Sequence, residues 1–168
     1  MSGVKKKDER QLLEVLTLLK KVEPRDILKL LKEKEKQERQ QQSQYIPVSL
    51  FAATSLSSLE AITVYLREKR HLTFVQMGKL LARNQIALST TYRRARKKYI
   101  GSLEIPETKW AIPCVIIADK KLSVLESIVW HLKKTYALSN TNIAKLLKKD
   151  QRTIWTVLSR AKKKEVRT

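Results

Sequence analysis

Displaced by 66 residues, the chain lies on itself without a gap: residues 56–98 fall on 122–164, with LSSLEAI meeting LSVLESI, MGKLLARNQ meeting IAKLLKKDQ and TTYRRARKK meeting TVLSRAKKK. The match extends upstream, where Ile46-Pro47 falls on Ile112-Pro113. A fixed internal period of this kind means one structural unit built twice. Any fold assigned to one copy must therefore serve the other. The organisation expected is an N-terminal helical hairpin and polar linker over residues 1–45, a first unit over 46–99, a linker over 100–111 and a second unit over 112–168.

The spacing of apolar residues says what the unit is. In the second copy Ser139 is placed to cap a helix whose inward residues are Ile143, Ala144, Leu146 and Leu147. Asp150 is placed to cap another with Ile154, Leu158 and Ala161 inward. Only Lys148 and Lys149 separate them, a break too short for a loop, and small Ala144 suits the closest approach of two steeply crossing helices. In the first copy Thr73 with Gln76 opens the helix carrying Met77, Leu80 and Leu81. Gly78 takes the close-approach position, and Asn84 caps a third helix that buries Leu88, Tyr92 and Ala95.

Upstream, Ser57 with Glu60 and Ser123 with Glu126 form the same reciprocal capping box twice. One starts a helix facing inward with Leu59, Ile62, Tyr65 and Leu66. The other starts one facing inward with Leu125, Ile128, Val129 and Leu132. Three helices let a helix-turn-helix bury all its apolar sides, whereas the pair leaves one face open. The segments IPVSLF and IPCVII are extended, since proline disfavours a helical residue before it, and are expected to pack across their own units. With 3 glycines, 4 prolines and no strict alternation long enough for a sheet, the fold class is all-α: two tandem three-helix helix-turn-helix units behind an N-terminal hairpin. That hairpin is read from DERQLLEVLTLLKK and PRDILKLLKEKEKQERQ, whose leucines stand at helical spacing before the second segment turns wholly polar.

A net charge of +20 narrows the partners. Such self-repulsion is offset by a polyanion, and the excess lies in the repeats: residues 46–99 hold ten basic side chains against two acidic ones, residues 112–168 thirteen against four. No apolar run approaches the ~18 residues of a spanning helix, and MSGVKKKDER lacks the apolar core of a signal peptide. A cytoplasmic protein without membrane contact is expected. Cys114 is the single cysteine, read as an inert core thiol. His71 and His131 occupy different positions in their units and have no partner at metal-ligand spacing. With no phosphate loop, nucleophile triad or apolar-set carboxylate pair, neither enzymatic activity nor a cofactor or metal is expected.

The outward positions of each third helix carry the functional expectation. Once Ile154, Leu158 and Ala161 face inward, Gln151, Arg152, Trp155 and Thr156 face out, side-chain types that suit base edges. Gln85 and Ser89 are their counterparts in the first copy, although Ile86 and Ala87 stand where the second has Arg152 and Thr153. Toward the helix ends, Arg160, Lys162, Lys163 and Lys164, with Arg93, Arg94, Arg96, Lys97 and Lys98, suit phosphates, which orient a module without specifying sequence.

The run IAKLL, then Asp150, then RTIWTVLSRAKKK resembles the reading helix of the fourth conserved region of bacterial sigma factors and related DNA-binding regulators, over roughly the last third of the chain. The turn departs from that pattern, with Lys148 and Lys149 where the family usually carries a glycine and a buried aliphatic. The resemblance implies a sequence-specific double-stranded DNA-binding protein, a transcriptional regulator reading the major groove with the third helix of each repeat. Two other readings stay open: a module docking on RNA polymerase or another assembly, and a structured-RNA binder. The linker 100–111 reaches roughly 40 Å at about 3.3 Å per residue, enough to set two reading helices one duplex turn, ~34 Å, apart. If flexible it permits direct repeats, whereas units packed about a pseudo-dyad demand a palindrome. The hairpin's leucines suit a homodimer or partner contact.

Overall fold

The computed structural model describes residues 23–53 and 55–166. The first helix of the expected hairpin, over 8–21, lies outside them. Its second helix is α1 (Pro24–Ser43), opened by Pro24 with Asp26 in the first turn. It continues through the polar stretch after Leu31, because Lys, Glu and Gln are good helix formers even without an apolar stripe. Leu28, Leu30 and Leu31 are exposed on it.

The chain divides into a unit ending at Gln40 and a compact unit over Gln41–Thr168 that contains both repeats. The second unit runs β1 (Tyr45–Pro47), α2 (Leu50–Ala53), α3 (Ser58–Glu68), α4 (Phe74–Leu81), α5 (Gln85–Lys98), β2 (Ala111–Pro113), α6 (Cys114–Ala118), α7 (Val124–Lys134), α8 (Asn140–Leu147) and α9 (Gln151–Val166). Elements α3, α4 and α5 start and α3 and α4 end 66 residues before α7, α8 and α9, as do β1 and β2. Among the described residues, even the four left-handed non-glycine ones obey the offset: His71 with Ala137, and Ala82 with Lys148.

Local chemistry explains the boundaries. Asn84 Oδ1 accepts from the Ile86 and Ala87 N–H groups, Asp150 Oδ1 from the Arg152 N–H at 2.7 Å, and Ser139 Oγ from the Asn142 N–H. The Thr73–Gln76, Ser57–Glu60 and Ser123–Glu126 boxes are all formed. Helices α4 and α8 end in left-handed Ala82 and Lys148, past which the Arg83 and Lys149 N–H groups return to the Gly78 and Ala144 carbonyls, both at 2.9 Å. A Cβ on Gly78 would stand 2.9 Å from the Arg83 carbonyl oxygen, so the turn presses on this position.

The unit is mostly helical, but it holds a sheet that strict alternation did not reveal. Strands β1 and β2 pair antiparallel, with Tyr45 opposite Pro113, Ile46 opposite Ile112 and Pro47 opposite Ala111. The extended Ile-Pro segments therefore pair across the repeats instead of packing within their own. A helical unit offers a strand no free ladder groups, and the other copy's strand does. Three residues per strand are also too few for a period of two to stand out.

Ile46 and Ile112 are equivalent residues, so a pseudo-two-fold axis passes through their pair. The flanking bonds obey it: the Cys114 N–H donates to the Gln44 carbonyl at 2.7 Å and the Val48 N–H to the Trp110 carbonyl at 3.0 Å. The same axis relates the packing. Helix α2 lies against α8 of the other half, α6 against α4, and α3 meets α7.

This exchange enlarges the core beyond a single apolar face. On α3 every residue from Glu60 to Leu66 is buried, since the second half covers what would otherwise be its outer side. Leu59, Leu125 and Leu146, expected inside, are only partly buried, as is Leu158, while its neighbour Val157 is buried instead. The linker is tied down as well. Leu103 is buried, the Ser49 hydroxyl donates to the Pro106 carbonyl at 2.6 Å, and the Tyr99 hydroxyl donates to the Ser102 carbonyl.

One buried carboxylate closes each half. Glu60 accepts from the Ser57 N–H and hydroxyl and from Lys98 Nζ at 2.6 Å. Glu126 accepts from the Ser123 N–H and from Lys164 Nζ at 2.6 Å. The hydrogen bond from Lys98 holds the Glu60 carboxyl below its ordinary pKa. For Glu126 burial pushes upward, and the bonds from Lys164 and Ser123 outweigh it, so its pKa is also lowered. A depressed carboxyl pKa contributes stability that is full above the unfolded value, ~4.3, and is lost as pH falls through the folded value. Urea melts should therefore show stability dropping as pH falls below about 4.5, with a shallower acid slope in the Glu60→Gln, Glu126→Gln double variant; equal slopes would contradict this. Ala82→Gly should raise stability by up to about 1 kcal/mol, since a left-handed residue with a Cβ is strained, read as an increase of ~2–4 °C in Tm.

Candidate nucleic-acid interface

The third helix of each half presents one side to its own core and the other to solvent. On α9, Ile154, Val157 and Ala161 are buried while Gln151, Arg152, Thr153 and Trp155 are exposed. On α5, Leu88 and Ala95 are buried while Gln85, Ile86 and Ala87 are exposed. Of the residues expected on the outer side, Ser89 and Thr156 are only half exposed. The Thr156 hydroxyl donates to the Arg152 carbonyl at 3.0 Å, and on α5 Thr91, one position past the offset partner of Thr156, makes the same kind of bond to the Ala87 carbonyl. Trp155, 63% exposed, stands clear of the core.

The nine basic residues expected on phosphates divide into two groups. Arg160, Lys162 and Lys163 on α9 and Arg93, Arg94 and Lys97 on α5 are exposed. The other three have partners within the fold. Lys98 and Lys164 bind the buried glutamates. Arg96 Nε stands 3.3 Å from Glu68 Oε1, and its guanidinium donates to the Tyr99 and Gly101 carbonyls, both at 3.1 Å. Helical spacing carries no sign of this difference, because the acceptors are carboxylates on α3 and α7 and carbonyls that the chain presents only after α5 ends.

The two halves differ beside their third helices. In the first, Phe74 and Tyr92 meet edge to face at 5.8 Å, Arg67 lies over Phe74 at 5.1 Å, and the Tyr92 hydroxyl donates to Glu68 at 2.9 Å. This cluster fills the space between α3, α4 and α5. At the equivalent place the second half has an open groove of about 470 Å³ lined by Trp130, Lys133, Lys134, Asn140, Trp155, Leu158, Ser159 and Lys162. Lys134 Nζ lies 5.0 Å over the Trp130 ring. Sequence spacing located Trp155 but missed Trp130, which sits on α7, where only a core role was sought. Its offset partner in the first half is buried Val64, and that substitution was the available signal.

Other titratable groups have structural surroundings. Burial pushes the Cys114 thiol up to about 12, so the thiolate needed of a nucleophile is scarce at neutral pH. Burial also lowers the pKa of His131, whose ring packs edge to face on Tyr136 at 5.5 Å. A second groove, about 970 Å³, runs between the end of α3 and the linker, where Lys69, Arg70 and Lys109 alternate with Glu104 and Glu107. Among the described residues no group of three or more His, Cys, Asp or Glu is placed to hold a metal ion, and no helix is long and apolar enough to cross a membrane.

Comparison with known protein families, with curated proteins and with solved structures finds no match to the chain.

Proposed function

We propose that the protein binds double-stranded DNA as a sequence-specific transcriptional regulator, with each half acting as a helix-turn-helix unit that lays its third helix in a major groove. The observation that carries this reading is the division of labour on α5 and α9. Their inner sides are committed to the core, while their outer sides carry glutamines at the first turn and free cations toward the end. Gln151 and Arg152, at the N-terminal end of α9, are the base-reading pair, because that end of a recognition helix approaches base edges. Arg160, Lys162 and Lys163, with Arg93, Arg94 and Lys97, hold phosphates. Lys98, Lys164 and Arg96 serve the fold.

A second reading rests on Ile86, 70% exposed, and on exposed Ala87. An apolar pair at the tip of α5 suits docking of the first half on a protein such as RNA polymerase.

DNA affinity should fall by about three decades between 50 and 200 mM salt if six cations release counterions. Arg152→Ala should cost ~5- to 150-fold on the preferred site and relax base choice, whereas Lys163→Ala should weaken all duplexes alike. Equilibrium binding to preferred and scrambled duplexes, with double-stranded RNA as a competitor, checks both. Equal loss from the two substitutions, or better competition by RNA, would argue against base reading.

A further inference from the structure

The relation between the two third helices is fixed by the fold. The Ile46–Ile112 pair defines the axis, the α2–α8 and α6–α4 contacts repeat across it, and the buried Leu103 pins the linker. The head-to-tail arrangement that a loose linker would permit is excluded by these contacts. Helices α5 and α9 are therefore related by rotation and not by translation along the chain. Two reading helices related by a two-fold axis address half-sites that are inverted with respect to each other, because duplex DNA has dyads of its own.

The symmetry holds for the backbone and fails for the surface side chains. Gln85 and Gln151 are equivalent and both exposed, so the halves share one reader suited to adenine. At the next two positions Ile86 and Ala87 replace Arg152 and Thr153. Arginine suits the O6 and N7 acceptors of guanine. Isoleucine and alanine offer no hydrogen bond, and among groove edges they suit the C5 methyl of thymine. Their exposure leaves that apolar surface uncovered in the free protein.

Building on the DNA-binding reading, we infer that one copy of the chain reads a single imperfect palindrome whose half-sites differ chemically: Arg152 reads guanine in one, and Ile86 with Ala87 reads thymine methyls at the symmetry-related positions of the other. The adenines facing Gln85 and Gln151 are common to both. The chain is a two-fold dimer in one polypeptide, freed from the requirement that both half-sites be identical.

The test selects bound fragments from random duplexes with the full chain, then measures stoichiometry and affinity on the enriched site with uracil replacing thymine in one half at a time. The expected result is an inverted repeat with half-site centres about 10 base pairs apart, bound by one chain. Uracil should weaken binding about fourfold per lost methyl in one half-site and not in the other, and I86S should abolish that sensitivity. Ile86 is exposed, so an unchanged Tm for I86S separates contact loss from unfolding. A direct repeat, an isolated half-site, two chains per site, one chain holding two duplexes, or uracil sensitivity that survives I86S each overturns the inference while DNA binding stands. No enriched sequence and no retention of any duplex at low salt overturns the DNA-binding reading itself.

Discussion

Neither half of the compact unit covers its own core. Helices α2 and α6 are single turns, too short to be stable as isolated helices. They hold because Leu50 and Phe51 on one, and Cys114 and Ile117 on the other, are buried between their own half and its neighbour. Burying a large apolar side chain contributes about 1.5–3 kcal/mol, so this reciprocal insertion is comparable to the whole stability of a small domain. The ribbon adds the fully buried Ile46 and Ile112. It fixes how the insertions are registered.

The second constraint is the doubled use of one carboxylate. Glu60 and Glu126 each satisfy the first turn of one helix and receive a lysine from the last turn of the third, so the start and end of each three-helix set are joined by one buried charge. An ion at such a site is costly unless its hydrogen bonds are complete, and here they are supplied by the capping serine and by the lysine. Lys98 and Lys164 stay at the surface, yet each has its charge matched by a carboxylate.

What the sequence disclosed followed the range of the interactions. Caps at Ser57, Thr73, Asn84, Ser123, Ser139 and Asp150 act within three residues, and all six were legible. So was the tight approach at Gly78, because a glycine amid good helix formers has a steric reason. Contacts across the axis left no local trace. The Ile-Pro strands read only as extended, the linker read as a tether although Leu103 is buried in it, and the all-round burial of α3 exceeded any single-face pattern. At the candidate interface, residue types and exposure of Gln151, Arg152 and Trp155 were legible from helical period. The engagement of Arg96 was not, since its partners lie on another helix and beyond the end of its own.

The position of the two prolines has a consequence for assembly. Both strands of a two-stranded ribbon are edges, and an unpaired edge is a template on which further chains can add. Pro47 and Pro113 have no N–H to offer such an addition, and the axis sets them on opposite flanks. Strand-by-strand growth is thereby discouraged on either side.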